Sequence, residues 1–259
     1  MYDNLIETFK DFKFYADDHH YEVNKKRIGI SVTTLIHEYS NPFNKESVSK
    51  KVSLKTNRPQ ADILEDWRLE NLYSTVKGTL IHEYAQGLWN GEKVLPNYEE
   101  ISDEINLNRL KKTLSRSFKL ADKYYEEHKN QLTVFKDEFI VGSIKYDIAG
   151  SIDNLLLTNN NELVMIDYKT NKKINFNSFN SQKMLEPLNN LEDCNYIHYS
   201  LQLCIYKLLI EEFTDIKVKN VYIVYFDEFK DDYEKIKVKN VLKEAQILLN
   251  TRIGDNIWK

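Results

Sequence analysis

Residues 144–170, IKYDIAGSIDNLLLTNNNELVMIDYKT, constrain the fold more than any other stretch of the chain. Two apolar runs, Ile152 with Leu155, Leu156 and Leu157, then Leu163, Val164, Met165 and Ile166, flank Asn159, Asn160 and Asn161. Asparagines tolerate positive φ, so the pattern predicts two strands joined by a tight polar turn. The second run leads into Asp167, Tyr168 and Lys169. Side chains alternate along a strand, so Asp167 and Lys169 project to one face and Tyr168 to the other. The paired strand can bring Asp153 to the face of Asp167. Two carboxylates and an ammonium at the end of an apolar hairpin are costly to bury unless they hold something. A hydrated divalent cation suits them best.

The 259 residues suffice for one large domain with a full core, or two small ones. Seven glycines, four prolines and 42% hydrophobic residues argue for a compact, element-rich chain. No apolar run approaches the roughly 20 residues that span a bilayer, and the acidic, aromatic N-terminus is unlike a signal peptide. The two cysteines, Cys194 and Cys204, supply no disulfide framework, so a reducing cytoplasm is expected. A net charge of −4 gives no global support for nucleic-acid binding. Charge is uneven, however: Lys45, Lys50, Lys51, Lys55 and Arg58 face one acid, Glu46, over 45–58. This strip reads equally as a phosphate contact or as a solvated loop.

Along the chain, Leu5, Ile6, Phe9, Phe12 and Phe14 predict an N-terminal helix over 2–15. A short strand near Ile28–Val32 turns into a helix capped by Ser31, Thr33 or Thr34, whose free N–H groups suit a phosphate. Helices are expected over 60–76 and from Lys77 to Leu88, the second placing Gly78 and His82 on one face and closing at Gly91. A long helix over 105–128 and a strand over 134–141 follow. Glu138 on that strand is expected to be exposed rather than an extra site carboxylate, and Asp147 to face solvent. Residues 171–195 lack periodicity and read as a substrate-facing loop. The helix from His198 to Phe213 carries His198, Gln202 and Tyr206 as a stripe at four-residue spacing, and strands over 221–226 and 236–238 precede a closing helix.

Five of these motifs, in order, carry a resemblance: Ser31-Val32-Thr33, Gly78-x-x-x-His82, Gly150-Ser151-Ile152-Asp153, Asp167-Tyr168-Lys169 and Gln202-x-x-x-Tyr206. The set resembles the PD-(D/E)XK nucleases, and most closely their RecB-like exonuclease branch, which includes phage and mitochondrial genome-maintenance exonucleases. The resemblance covers roughly residues 28–226. It implies an α/β, restriction-endonuclease-like core with a central mixed sheet flanked by helices. It also implies one nuclease domain over 1–259, in which 1–75 is helical and contacts DNA and 76–259 is catalytic.

By this resemblance, Asp153 and Asp167 are the main metal ligands, joined by the Tyr168 carbonyl and His82. Lys169 orients the attacking water or stabilises the transition state, and Ser31, Thr33, Gln202 and Tyr206 position the DNA. Oxygen ligands favour Mg²⁺, and an imidazole in the shell admits Mn²⁺, as one ion or two. Some relatives hold an iron–sulfur cluster with four cysteines, which two cannot do. No Walker A motif is present, so a helicase or recombination partner would be a separate chain. The implied activity is metal-dependent hydrolysis of DNA by an exonuclease of replication, recombination or repair, compatible with a phage source. A structure- or sequence-specific endonuclease and a non-cleaving nucleic-acid-binding protein remain open alternatives. A lone histidine in a core and a buried Gln–Tyr pair are the structural alternatives for His82 and for Gln202 with Tyr206.

Overall fold

The computed structural model describes residues 2–253. Helix α1 (Asp3–Phe9) precedes strands β1 (Phe12–Tyr15), β2 (His20–Val23), β3 (Lys26–Arg27) and β4 (Ile30–Ser31). Helices α2 (Val32–Glu38), α3 (Lys45–Thr56), α4 (Gln60–Asn90) and α5 (Leu107–His128) follow. Then come strands β5 (Leu132–Ser143), β6 (Ile148–Thr158) and β7 (Leu163–Lys169), helix α6 (Asn195–Phe213), strands β8 (Val218–Tyr225) and β9 (Glu234–Lys237), and helix α7 (Leu242–Thr251). Strands β1 to β3 form a small antiparallel sheet, and β4 to β9 a mixed one.

The hairpin β6–β7 lies at the centre of the mixed sheet. Along one side of β6, β5 runs antiparallel for its whole length, from Leu132↔Thr158 to Ser143↔Ile148. A strand has only two sides, so β4 and β7 share the other. β4 pairs in parallel with Ile148 and Ala149, and β7 pairs antiparallel with the segment from Asn154 to Leu157. The main chain of Gly150 to Asp153 therefore has no strand partner on that side. β7 and β8 pair in parallel, with α6 as the crossover, and β9 closes the sheet antiparallel to β8.

The alternation in β7 sorts the core into two layers. Leu163 and Met165 join Leu35, Leu201, Ile205 and Leu248 on the α2, α6 and α7 side. Val164, Ile166 and Tyr168 join Ile81, Ala85, Leu114 and Tyr124 on the α4 and α5 side. Each fully buried aliphatic side chain contributes about 1.5–3 kcal/mol. Helix α5 buries Leu110, Thr113, Leu114, Ser117, Leu120, Ala121 and Tyr124, the three-and-four spacing of one helical face.

Four sequence expectations are corrected. The N-terminal helix stops at Phe9. Beyond it Phe12 is buried and Phe14 exposed, with Lys13 and Tyr15 also exposed, because this segment pairs as β1 with β2. The basic strip is a helix, α3, started by the Asn44 side chain on Ser47 N–H at 2.9 Å and ended by left-handed Asn57; Ser49 is its buried residue, so the lysines are solvated. The helices expected over 60–76 and 77–88 are one, α4. Asp147 is buried rather than solvent-facing, because the β5–β6 turn swings its carboxylate onto Gly29 N–H at 2.8 Å and toward Arg252 at 3.5 Å. Among the described residues no helix is long and apolar enough to cross a membrane.

Candidate active site

Strand register assembles the site. Asp137↔Asn154 and Phe139↔Ile152 bracket Glu138 and Asp153, so these two lie opposite each other across β5 and β6. One residue beyond Asn154↔Ile166, Asp153 falls opposite Asp167. Three carboxylates thus stand abreast on three neighbouring strands. Where the β6–β7 ladder ends, the Tyr168 N–H donates to Asp153 Oδ2 at 2.7 Å. Lys169 Nζ lies 2.6 Å from Asp167 Oδ2 and 4.6 Å from the centre of the Tyr199 ring.

Helix α4 closes the site from the other side. Ser74, Gly78, His82 and Gln86 form a stripe at four-residue spacing facing this groove. His82 Nδ1 is 3.4 Å from Asp153 Oδ2, and the imidazole also meets the Tyr168 main-chain carbonyl. Gln86 Nε2 donates to Glu138 Oε1, and Ser151 Oγ to Glu138 Oε2 at 3.0 Å. Glu138 itself adopts φ of 42°, a left-handed conformation that is uncommon for a non-glycine residue. Glu138 is exposed, as expected, yet it lines the same groove as Asp153.

Burial sets the charge states. Removal from water pushes the Asp153 and Asp167 carboxyls up to about 6, against the pull of Lys169. Burial opposes the charge on Lys169 as well, but Asp167, Asp153 and Tyr199 outweigh it and hold its pKa above the ordinary value. Lys169 is therefore a cation at neutral pH. Burial and the nearby Lys169 lower His82 to about 4, so the imidazole is neutral with a lone pair free to donate.

The groove has two lobes that meet at Ser74 and His82. The smaller, about 360 Å³, is lined by Lys77, Lys169 and Lys172 with Tyr199; Lys77 is buried against Glu228 at 3.5 Å, and Lys172 is exposed and paired with Glu70 at 2.8 Å. The larger, about 690 Å³, contains Asp153, Glu138, Glu83, Phe14 and His19. Sequence reasoning missed Gln86, Lys77, Tyr199 and Phe14 as parts of this groove, whereas Lys172 falls in the segment expected to face the substrate. The i+4 step from His82 to Gln86 was a signal available for one of them.

The remaining sequence-nominated residues lie around this centre. Tyr206 is buried with its ring against Gly150, where an added Cβ would sit 2.6 Å from the ring, and Gln202 Nε2 donates to its hydroxyl at 3.1 Å. The pair fills the open side of β6 beside Asp153. Tyr206, nominated as a DNA contact, is 2% exposed, and its hydroxyl is enclosed beside Gly150. Ser31 caps α2, accepting from Thr34 N–H at 3.1 Å, while Thr33 is exposed. Ser31 lines a separate hollow with His20, Arg27 and Thr34.

Among the described residues, no group of three or more His, Cys, Asp and Glu side chains has the spacing to hold a metal ion on its own. The centre instead offers two carboxylates, one neutral imidazole and one main-chain carbonyl. Lys169 offsets only part of the charge on the two desolvated carboxylates. In kind, this donor set fits a small hard divalent cation.

The mixed sheet thus carries a carboxylate pair and a lysine at the open end of its central hairpin. The chain belongs to the PD-(D/E)XK nuclease superfamily, whose model matches residues 60–252, and its fold is the restriction-endonuclease-like one. The crystal structure of a "Putative exonuclease" from Eubacterium rectale is similar, at 14% identity and a TM-score of 0.41, over 70% of this chain and 66% of that chain. The crystal structure of SSO0001 is similar at 17% identity and a TM-score of 0.29, over 88% of this chain and 77% of that one. A comparison with curated proteins gives no match.

Proposed function

We propose that this nuclease is a divalent-metal-dependent DNA exonuclease of the RecB-like branch, acting in replication, recombination or repair. The observation that carries the reading is the union of Asp153, Lys169 and His82 along one groove, with Asp167 buried directly behind Lys169 at 2.6 Å. Asp153, Asp167, the Tyr168 carbonyl and His82 would hold Mg²⁺ or Mn²⁺. Such an ion lowers the pKa of bound water and polarises the phosphate.

The chain's own residues do the rest. Lys172, exposed at the rim of the smaller lobe, draws the phosphate backbone toward Lys169. Protonated Lys169 stabilises the charge that develops on the oxygens of the pentacovalent phosphoryl transition state and orients the attacking water. Its high proton affinity makes it a donor rather than the base. Gln202 and Tyr206 hold β6 so that Asp153 keeps its position opposite Asp167, and Ser31 and Thr33 would contact the strand further out. The two cysteines are both buried and free, and the reading needs no iron–sulfur cluster. It places the protein in the cytoplasm, as one nuclease unit that works alone or with a helicase or recombination protein on a separate chain.

The test is hydrolysis of end-labelled linear DNA beside covalently closed circles, in Mg²⁺ and in EDTA. Release of mononucleotides or short oligonucleotides from linear DNA alone, in Mg²⁺ alone, supports the reading. Cutting of closed circles would make the protein an endonuclease.

A further inference from the structure

Away from the Asp153 and His82 end, the larger lobe offers nothing of its own to hold phosphate. It contains Glu83 and Glu138, and among the described residues neither lysine nor arginine lines it. One of its walls is aromatic. Phe14 is 37% exposed at the tip of the β1–β2 hairpin, backed by Tyr21 at 5.0 Å and met edge-on by His19 at 5.0 Å. The facing wall of α4 is made of small residues, Ser74, Gly78 and Thr79. A Cβ at Gly78 would meet only the Thr170 hydroxyl, at 3.5 Å, so this wall stays low.

The hairpin is fixed relative to the carboxylates. The Phe12 ring lies so close to Gly142 of β5 that an added Cβ would sit 2.4 Å from it. The Tyr21 side chain, 9% exposed, packs in the same core as Ile152, the residue before Asp153. An uncharged flat ring with hydrogen-bond donors on its edge suits a slot with an aromatic wall and carboxylate acceptors.

We propose that Phe14, edged by His19, stacks on the nucleobase of an unpaired nucleotide next to the scissile phosphate. Lys169 and Lys172 of the smaller lobe hold the backbone. A base inside a duplex has both faces covered, so the substrate class is single-stranded or frayed-end DNA. This inference rests on the nuclease reading above and names the strand state that the same site accepts.

The test uses single-stranded oligonucleotides carrying 2-aminopurine at successive positions, bound in EDTA by the wild-type protein, Phe14→Ala and Phe14→Tyr. One position is expected to lose fluorescence with the wild type and with Phe14→Tyr, and to keep it with Phe14→Ala. In Mg²⁺, Phe14→Ala is expected to raise KM about tenfold with little change in kcat, within the range for loss of base–aromatic stacking. An abasic residue at that position should erase the difference between wild type and variant. DNA bound and cleaved with no position-dependent quenching, or an equal Phe14→Ala defect on the abasic substrate, would overturn the stacking role alone. Neither binding nor cleavage of DNA by the wild type would overturn the nuclease reading and this inference with it.

Discussion

Trp89 Nε1 donates a hydrogen bond to the Tyr168 hydroxyl at 2.9 Å inside the core. The Tyr168 ring also stacks on Phe226 at 5.5 Å, and its main-chain N–H holds Asp153. The residue between the two charges of Asp-Tyr-Lys therefore fastens β7 to α4, and with it His82 to the carboxylates.

Tyr168→Phe removes the acceptor and leaves a buried indole N–H unpaired. The expected cost is about 1–3 kcal/mol, read as a lowered midpoint in chemical denaturation. Trp89→Phe in the same background is expected to cost less than its sum with the first change, since the two groups share one interaction. Full additivity would mean that the bond contributes nothing.

The raised Asp153 carboxyl has a consequence for stability. Its folded pKa of about 6 exceeds the ordinary aspartate value of 3.8. The folded state therefore binds the proton more tightly, and this contribution to stability is full below pH ~4 and lost as pH rises through ~6. Two pKa units correspond to about 3 kcal/mol at most. In EDTA, Asp153→Asn is expected to raise the unfolding temperature at pH 8 and to leave it nearly unchanged at pH 4. An equal effect at both values would contradict the burial of an ionisable carboxyl here.

Gly150 has a packing requirement. A methyl group at this position would overlap the Tyr206 ring at 2.6 Å. Tyr206 is itself enclosed and bonded to Gln202, so it has little room to yield. Gly150→Ala is expected to destabilise the fold by about 1–3 kcal/mol and to lower kcat more than KM, because it disturbs β6 three residues before Asp153. Unaltered thermal stability and kinetics would show that the contact is not confining.

Much of the site was legible because its motifs lie within single elements. Alternation in β7 separates Asp167 and Lys169 from Tyr168, and four-residue spacing aligns Gly78 with His82 and Gln202 with Tyr206. The part played by Glu138 was not legible. The β5–β6 register shifts between Val134 and Lys136, and that bulge decides that Glu138 meets Asp153 rather than its neighbour. Phe12 and Phe14 fit a helical or a strand period equally, and pairing with Tyr21 and Val23 decided between them. Asp147 looked solvent-facing because its partners, Gly29 and Arg252, are more than a hundred residues away in the chain.

On the proposed reading, Asp153, Asp167 and Lys169 form a metal-dependent hydrolytic centre for DNA. The most direct test is the rate of nucleotide release from linear single-stranded DNA in Mg²⁺, for the wild type beside Lys169→Ala. The expected result is release by the wild type that stops in EDTA and falls by about 10²–10³-fold in Lys169→Ala, as for loss of a group aimed at transition-state charge. Release that persists in EDTA, or that Lys169→Ala leaves unchanged while the variant stays folded, would contradict it.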